Sequence, residues 1–339
     1  MINPVTFLDD VLIPHKAFQA ATDRVEMFFQ SAQAMQEPVC FALLGPSGSG
    51  KSRVLDYVYQ RHQPSRGPDG LHIPIIRVSV PSKPTIKGLG DLILKDIDKS
   101  DERRYTENEL TRRIQVLMRN CGTVLLMLDE FQHFYDKHGH VVWHHVADWL
   151  KVLVDNVRCV LVVAGLPECS AVIEQNEQLA RRFRAPIRLP RFSWQNDAER
   201  DEFIACLETF YEVISEHCGV PRFHEEPWAF RCYCATGGLI GYLKNLLSEL
   251  LVHSVIQKKT KLDMEDFDIA HANFLYSSNE VAAKAWRPFC TDFELAETLD
   301  VLNVAAMIGL PPTALSSRRE SRPLTPFKRM SRSASRTGK

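Results

Sequence analysis

A chain of 339 residues, 45% hydrophobic and 24% charged, has the composition of an ordinary soluble protein and can hold a full α/β core plus a smaller second module. No apolar run approaches the ~20 residues of a membrane span, and the acid-bearing start Met1 to Asp10 does not read as a secretory signal, so a cytoplasmic protein without a membrane partner is expected. The formal net charge of −1 hides an asymmetry: residues 316–339 carry eight Lys/Arg against Glu320, a local +7 that leaves −8 on the body, which excludes a broad DNA-coating surface and restricts nucleic-acid contact to a local patch or the tail.

In chain order, Phe18, Val25, Phe28 and Phe29 mark an amphipathic lead-in helix within residues 1–38. The apolar run Val39 to Leu44 then meets Gly45-Pro46-Ser47-Gly48-Ser49-Gly50-Lys51-Ser52, which fills the phosphate-loop (Walker A) pattern, and helical periodicity resumes at Val54. The glycines let backbone N–H groups turn toward a β-phosphate, and the following helix adds its positive dipole end. Lys51 is expected at the β- and γ-phosphates and Ser52 on Mg²⁺, so ATP with Mg²⁺ is the expected ligand.

The Pro/Gly-bearing run His62 to Gly70 reads as a surface loop, and Ile73 to Val80 as a strand that Pro74 assigns to an edge or a start. Pro81 to Gly90 reads as a flexible polar loop before a helix from Asp91 to Asp98. Thr106 and Glu109 form a capping box opening a helix to Arg119. Lys83, Thr85 and Lys87 on that loop, with Arg103 and Arg104 just before Thr106, are the candidate double-stranded-DNA contacts, expected to be sequence-tolerant because phosphate contacts carry no base information.

Val124 to Leu128 is a buried strand closed by Asp129-Glu130 (Walker B), the second nucleotide signature: Asp129 is expected to hold Mg²⁺ and Glu130 to polarise the attacking water. His138 and His140 have no cysteine or carboxylate at ligand spacing, so no metal site is read there, and His133 is expected to couple the γ-phosphate to a neighbouring contact. A helix at Trp143 to Asp155, a strand at Cys159 to Ala164, a helix at Ser170 to Ala180 and a strand at Ala185 to Leu189 complete an alternation that predicts a parallel sheet covered on both faces, residues 39–192. From Trp194 the pattern is helical only: a small lid over 193–276, then an extension over 277–339 whose Ser/Arg-rich end is expected to be disordered. The nine cysteines are scattered, several in apolar runs, and read as reduced thiols, with Cys232-x-Cys234 as helix packing.

This order of motifs resembles the AAA+ ATPases. The finer resemblance, over roughly residues 20–275, is to the TniB/TnsC family of transposition ATPases, and rests on Gly45 to Ser52, Leu128-Asp-Glu-Phe-Gln-His133, Gly165-Leu-Pro-Glu168, Asn176-Glu-Gln-Leu-Ala-Arg-Arg-Phe183 and Gly237-Gly-Leu-Ile-Gly-Tyr242. It implies an α/β AAA+ domain with a helical lid, and an ATPase that oligomerises on double-stranded DNA as a ring or filament. It also implies a transposase and a TniQ-like target-selection adaptor as partners. Arg182 resembles the arginine finger that completes a neighbouring subunit's site, with Arg181 and Arg184 as rivals. Two departures predict slow, regulatory hydrolysis: Ala164 and Gly165 stand where a polar sensor is usual, and Gly241 near the place of the lid arginine, with Lys244 one turn away as the remaining lid contact to nucleotide. A helicase loader or initiator would share this chemistry and differ in partner, whereas a small-molecule kinase would need neither Arg182 in trans nor the lid.

Overall fold

The structure, a computed structural model, describes residues 8–35, 37–68, 70–101, 103–134, 140–274, 286–290 and 296–309. The basic tail and His138 lie outside the described residues. The chain forms two compact units, Lys16–Pro190 and, together, Met1–His15 with Arg191–Lys339.

The first unit is built on a parallel sheet whose strands are β1 (Cys40–Leu44), β4 (Ile75–Ser79), β5 (Leu125–Asp129), β6 (Val160–Gly165) and β7 (Ile187–Arg188), in the order β4-β5-β6-β1-β7. Every residue of β1, β5 and β6 is buried, which is why these strands read as continuous apolar runs rather than alternating ones. On one face Ala42, Leu126 and Val163 join the apolar sides of α3 (Ile86–Ile97), α4 (Glu107–Asn120), α5 (His140–Val157) and α6 (Cys169–Glu174) in one core. On the other, Phe41 stacks on Phe28 of α1 (Lys16–Ser31), and Phe18 meets Tyr57 of α2 (Lys51–Arg61) edge-on. The lead-in helix therefore packs on the sheet. Pro74, just ahead of edge strand β4, gives its carbonyl to Val124 N and Leu125 N, so its missing N–H costs the ladder nothing.

Local chemistry sets the element boundaries. Thr106 and Glu109 cap α4 with both reciprocal bonds. Asn176, accepting from Leu179 N, starts a separate helix α7 (Glu177–Ala180), which splits the helix expected over 170–180. Residues 62–70, expected as plain loop, contribute to a small exposed hairpin, β2 (Ser65–Gly67) with β3 (Gly70–His72).

The segment expected as a flexible loop to Gly90 is instead mostly helix, since α3 begins at Ile86 with Thr85 as its N-cap. Gly88 and Gly90 read as helix breakers in sequence, but Gly90 is where α4 crosses closely: a Cβ there would lie 2.8 Å from Leu110 Cδ2. Helix–helix contact overrides the glycine's entropic cost of about 1 kcal/mol.

The second unit is helical: α8 (Asp197–Ser215), α9 (Trp228–Thr236), α10 (Ile240–Gln257), α11 (Met264–Phe274) and α12 (Leu299–Ala305) enclose an aromatic core of Phe203, Phe210, Phe223, Phe267 and Phe289. Cys232 and Cys234 are buried in α9, their thiol pKa values pushed well up by burial. Among the described residues, no single helix is long and apolar enough to cross a membrane.

Candidate nucleotide site

The phosphate loop leaves β1 at Gly45, whose N–H donates to the Gly165 carbonyl at the end of β6 (3.2 Å). A Cβ on Gly45 would lie 2.3 Å from the Leu189 carbonyl oxygen, so the loop passes where only glycine fits. Gly48 and Gly50 take φ of 76° and 94°, and Gly50 is the N-cap of α2 without any side-chain cap. The first turn of α2 thus has N–H groups that no side chain satisfies, an anion site by construction.

Lys51 Nζ donates to the carbonyls of Gly45 (2.9 Å) and Pro46 (2.8 Å). An ammonium has three donors, so one remains for a phosphate oxygen. Burial lowers the Lys51 pKa, and the nearby carboxylates of Asp129 and Glu130 oppose the shift. Ser49 is buried, and among the described residues its hydroxyl has no partner. An orphaned hydroxyl, uncapped N–H groups and a spare ammonium donor fit an anionic triphosphate; Ser52 in the first turn of α2 and Asp129, both oxygen donors, fit a hard cation such as Mg²⁺.

Two strands from β1, Asp129 ends β5 with its backbone carbonyl accepting from Val80 N (2.9 Å) and Oδ1 accepting from Glu130 N (2.9 Å). Glu130 follows at φ 57°, a left-handed conformation rare for a residue with a Cβ and a sign of local strain at a working position. Its carboxylate accepts from Gln132 Nε2. His133 donates from Nδ1 to the Val80 carbonyl (2.7 Å), tying the turn after the carboxylates to the residue that follows β4, three positions ahead of Lys83.

Arg77 and Gln132 were not singled out in the sequence. Arg77, on β4, reaches Asp129 Oδ2 (3.4 Å) at the end of β5 and, on α2, Asp56 and the Ser52 carbonyl (3.5 Å), clamping α2 to the Asp129 carboxylate. The available signal was a lone charge inside the apolar strand Ile75-Ile-Arg-Val-Ser79; for Gln132 it was an amide two residues beyond Glu130.

Arg182 donates to Asp155 of α5 (2.8 Å) and is about a fifth exposed. Its carbonyl accepts from Cys40 N at the start of β1, the opposite end of that strand from the phosphate loop. Four steps of strand, about 13 Å, separate the two ends, so Arg182 is poorly placed for its own subunit's phosphates. Arg181 is exposed and paired with Glu177, and Arg184 is exposed.

Lys244, on α10 of the second unit, pairs with Asp9 of the same unit (2.5 Å). Lys83, Lys87, Arg103 and Arg104 are all exposed. Lys87 stands in the first turn of α3 and the Thr85 hydroxyl accepts from Gly88 N, so both belong to a helix start rather than a flexible loop.

A parallel sheet with the phosphate loop after β1 and acids after β5 is the AAA+ fold, and its solved neighbours agree. Cdc6p from Pyrobaculum aerophilum superposes with a TM-score of 0.61 at 12% identity over 83% of this chain and 73% of that one. The Aeropyrum pernix ORC2 protein, solved as ADPNP–ADP complexes, gives 0.60 at 11% over 83% and 74%. The Aeropyrum pernix ORC1 protein in complex with DNA gives 0.57 at 14% over 80% and 69%. A comparison with curated proteins finds no match. The model of the bacterial TniB proteins matches residues 6–194, more than half of the chain, and the chain belongs to that family.

Proposed function

We propose that this protein is an ATPase of transposition. In this reading it binds ATP with Mg²⁺, oligomerises in the ATP-bound state on double-stranded DNA, and links target-site selection through a TniQ-like adaptor to recruitment of a transposase. The observation that carries the reading is the TniB-family match over the part of the chain that holds the phosphate loop and the acidic strand end. The initiator or loader reading has only a likeness of fold in its favour.

In the proposed site, the N–H groups of residues 45–52 and the third donor of Lys51 bind the phosphates, and Ser52 and Asp129 hold Mg²⁺. When bound, the cation neutralises charge on the β- and γ-phosphate oxygens. Glu130 accepts the proton of the attacking water while Arg77 keeps the Asp129 carboxylate in place. Arg182, released from Asp155, extends to a neighbouring subunit's γ-phosphate, which makes hydrolysis a property of the oligomer. Exposed Lys83 and Lys87, repeated along an assembly, add weak phosphate contacts by multivalency.

The test is an ATPase assay on the purified protein with and without duplex DNA. Stimulation by duplex of any sequence, falling steeply with salt, supports the reading; hydrolysis indifferent to DNA but dependent on a small-molecule acceptor would replace it with a kinase.

A further inference from the structure

The end of β6 gives the site no polar side chain, and the structure shows what stands in that space. A Cβ built on Gly165 would lie 3.1 Å from Gln132 Oε1, 3.3 Å from Gln132 N and 2.5 Å from Cys169 Sγ. A side chain at position 165 would therefore press hardest on Cys169 Sγ and would also crowd the Gln132 amide, which lies against the open side of the glycine. The same glycine's carbonyl holds Gly45, so the amide lies between the phosphate-loop anchor and the catalytic acid.

The orientation of that amide follows from its partners. The Glu130 carboxylate offers only acceptors, so the NH₂ end faces it. The carbonyl end, Oε1, is then buried, and among the described residues it has no partner. A buried carbonyl left unpaired costs about 1–3 kcal/mol, so it favours a small donor supplied from the site. Water is such a donor: one O–H can point to Glu130 and the other to Gln132 Oε1, which leaves the lone pair free to face the phosphate.

We propose that Gln132 is the water-positioning residue of this ATPase, acting from the turn after β5 in place of the polar side chain that β6 lacks. The assignment rests on the ATPase reading above. It also accounts for the Asp-Glu-x-Gln spacing: an amide two residues after Glu130 reaches both the carboxylate and Gly165, on the neighbouring strand.

The test uses the full-length protein with Gln132→Ala, Gln132→Glu and Glu130→Gln. In Gln132→Ala, kcat is expected to fall about 10²-fold, the loss typical of one preorganised polar group. KM for ATP and the affinities for ADP and a non-hydrolysable ATP analogue should stay within about threefold, by the same reasoning that the residue acts on the water and not on the nucleotide. A second readout needs no nucleotide. Gln132→Glu sets a carboxylate against Glu130, so its melting temperature should lie below that of Gln132→Ala at pH 7. Wild-type turnover in Gln132→Ala, equal loss of ADP binding and turnover, or Gln132→Glu melting at or above Gln132→Ala would each overturn the assignment. Failure of the underlying reading looks different: wild-type protein that neither binds nor hydrolyses ATP removes the ATPase itself, whereas Glu130→Gln hydrolysing at the wild-type rate removes Glu130 as the base and with it the water site proposed for Gln132.

Discussion

Replacing Arg77 by methionine keeps most of the side-chain volume and removes the cation between two acids. The guanidinium is 25% exposed, Asp56 35% and Asp129 8%, so the two pairs are not equivalent. Asp56 rehydrates when its partner leaves and should account for less than about 1 kcal/mol. Asp129 cannot. At 3.4 Å and an effective dielectric constant near 20, its attraction to Arg77 is about 5 kcal/mol before solvation is counted. Access of water to a quarter-exposed guanidinium reduces this, and a net loss of about 2–3 kcal/mol is expected from an acid left buried without its cation.

For a unit of this size that loss is a fall in melting temperature of roughly 5–10 °C, read by calorimetry on nucleotide-free protein. Mg²⁺ should restore more stability in Arg77→Met than in wild type, because Arg77 then no longer competes with it for Asp129. A double-mutant cycle isolates the contact: in an Asp129→Asn background the Arg77→Met loss should shrink by at least about 1 kcal/mol. Strict additivity, or a shift below about 1 °C in the single variant, would refute the clamp.

Lys51→Ala is expected to abolish ATP binding, while Glu130→Gln binds ATP in an equilibrium titration yet turns over at least about 10²-fold more slowly; equal loss of binding in both would contradict the roles assigned. Arg182→Ala should bind nucleotide normally without hydrolysing it, and mixing it with Lys51→Ala should recover part of the activity, because one interface then holds an intact loop and an intact finger; no recovery at any ratio would remove Arg182 from a neighbouring site. Lys83→Ala/Lys87→Ala should weaken duplex binding in a non-hydrolysable ATP analogue and flatten its salt dependence, whereas loss of binding only on truncation at Ser316 would assign DNA to the tail. Burial lowers the His271 pKa from 6.5 to about 4, so the folded unit resists a proton that the unfolded chain accepts: stability is complete above pH 6.5 and lost as pH falls toward 4. His271→Leu should remove about 2 kcal/mol of that loss between pH 7 and pH 5 in chemical denaturation, and an unchanged pH profile would show that His271 is not its source.

The geometry of the candidate nucleotide site was legible in the sequence where it is carried by backbone and spacing. The phosphate loop needs glycines at fixed intervals, and Asp129 and Glu130 need only the end of a buried strand; these signals are local and survive without knowledge of the fold. The Thr106–Glu109 box was legible for the same reason. What was not legible depends on contacts distant in sequence. Gly88 and Gly90 looked like loop residues because the close crossing of Leu110, twenty positions beyond Gly90, cannot be read from composition. Arg77 becomes part of the site only through the β4–β5 register that sets Ser79 beside Asp129.

Gly165 shows the limit most clearly. Taken as one position in a family pattern, it reads as the loss of a polar group and implies a weakened enzyme. Beside Gln132 in three dimensions, the same glycine leaves room for an amide from the turn after the adjacent strand to reach Glu130. Neither residue is informative alone, since an amide after an acid or a glycine at a strand end is commonplace. Their information lies in the space beside Gly165: a Cβ there would lie 2.5 Å from Cys169 Sγ and 3.1 Å from Gln132 Oε1, so a larger residue at 165 has to displace Cys169 and crowd the amide as well, which makes the positions interdependent.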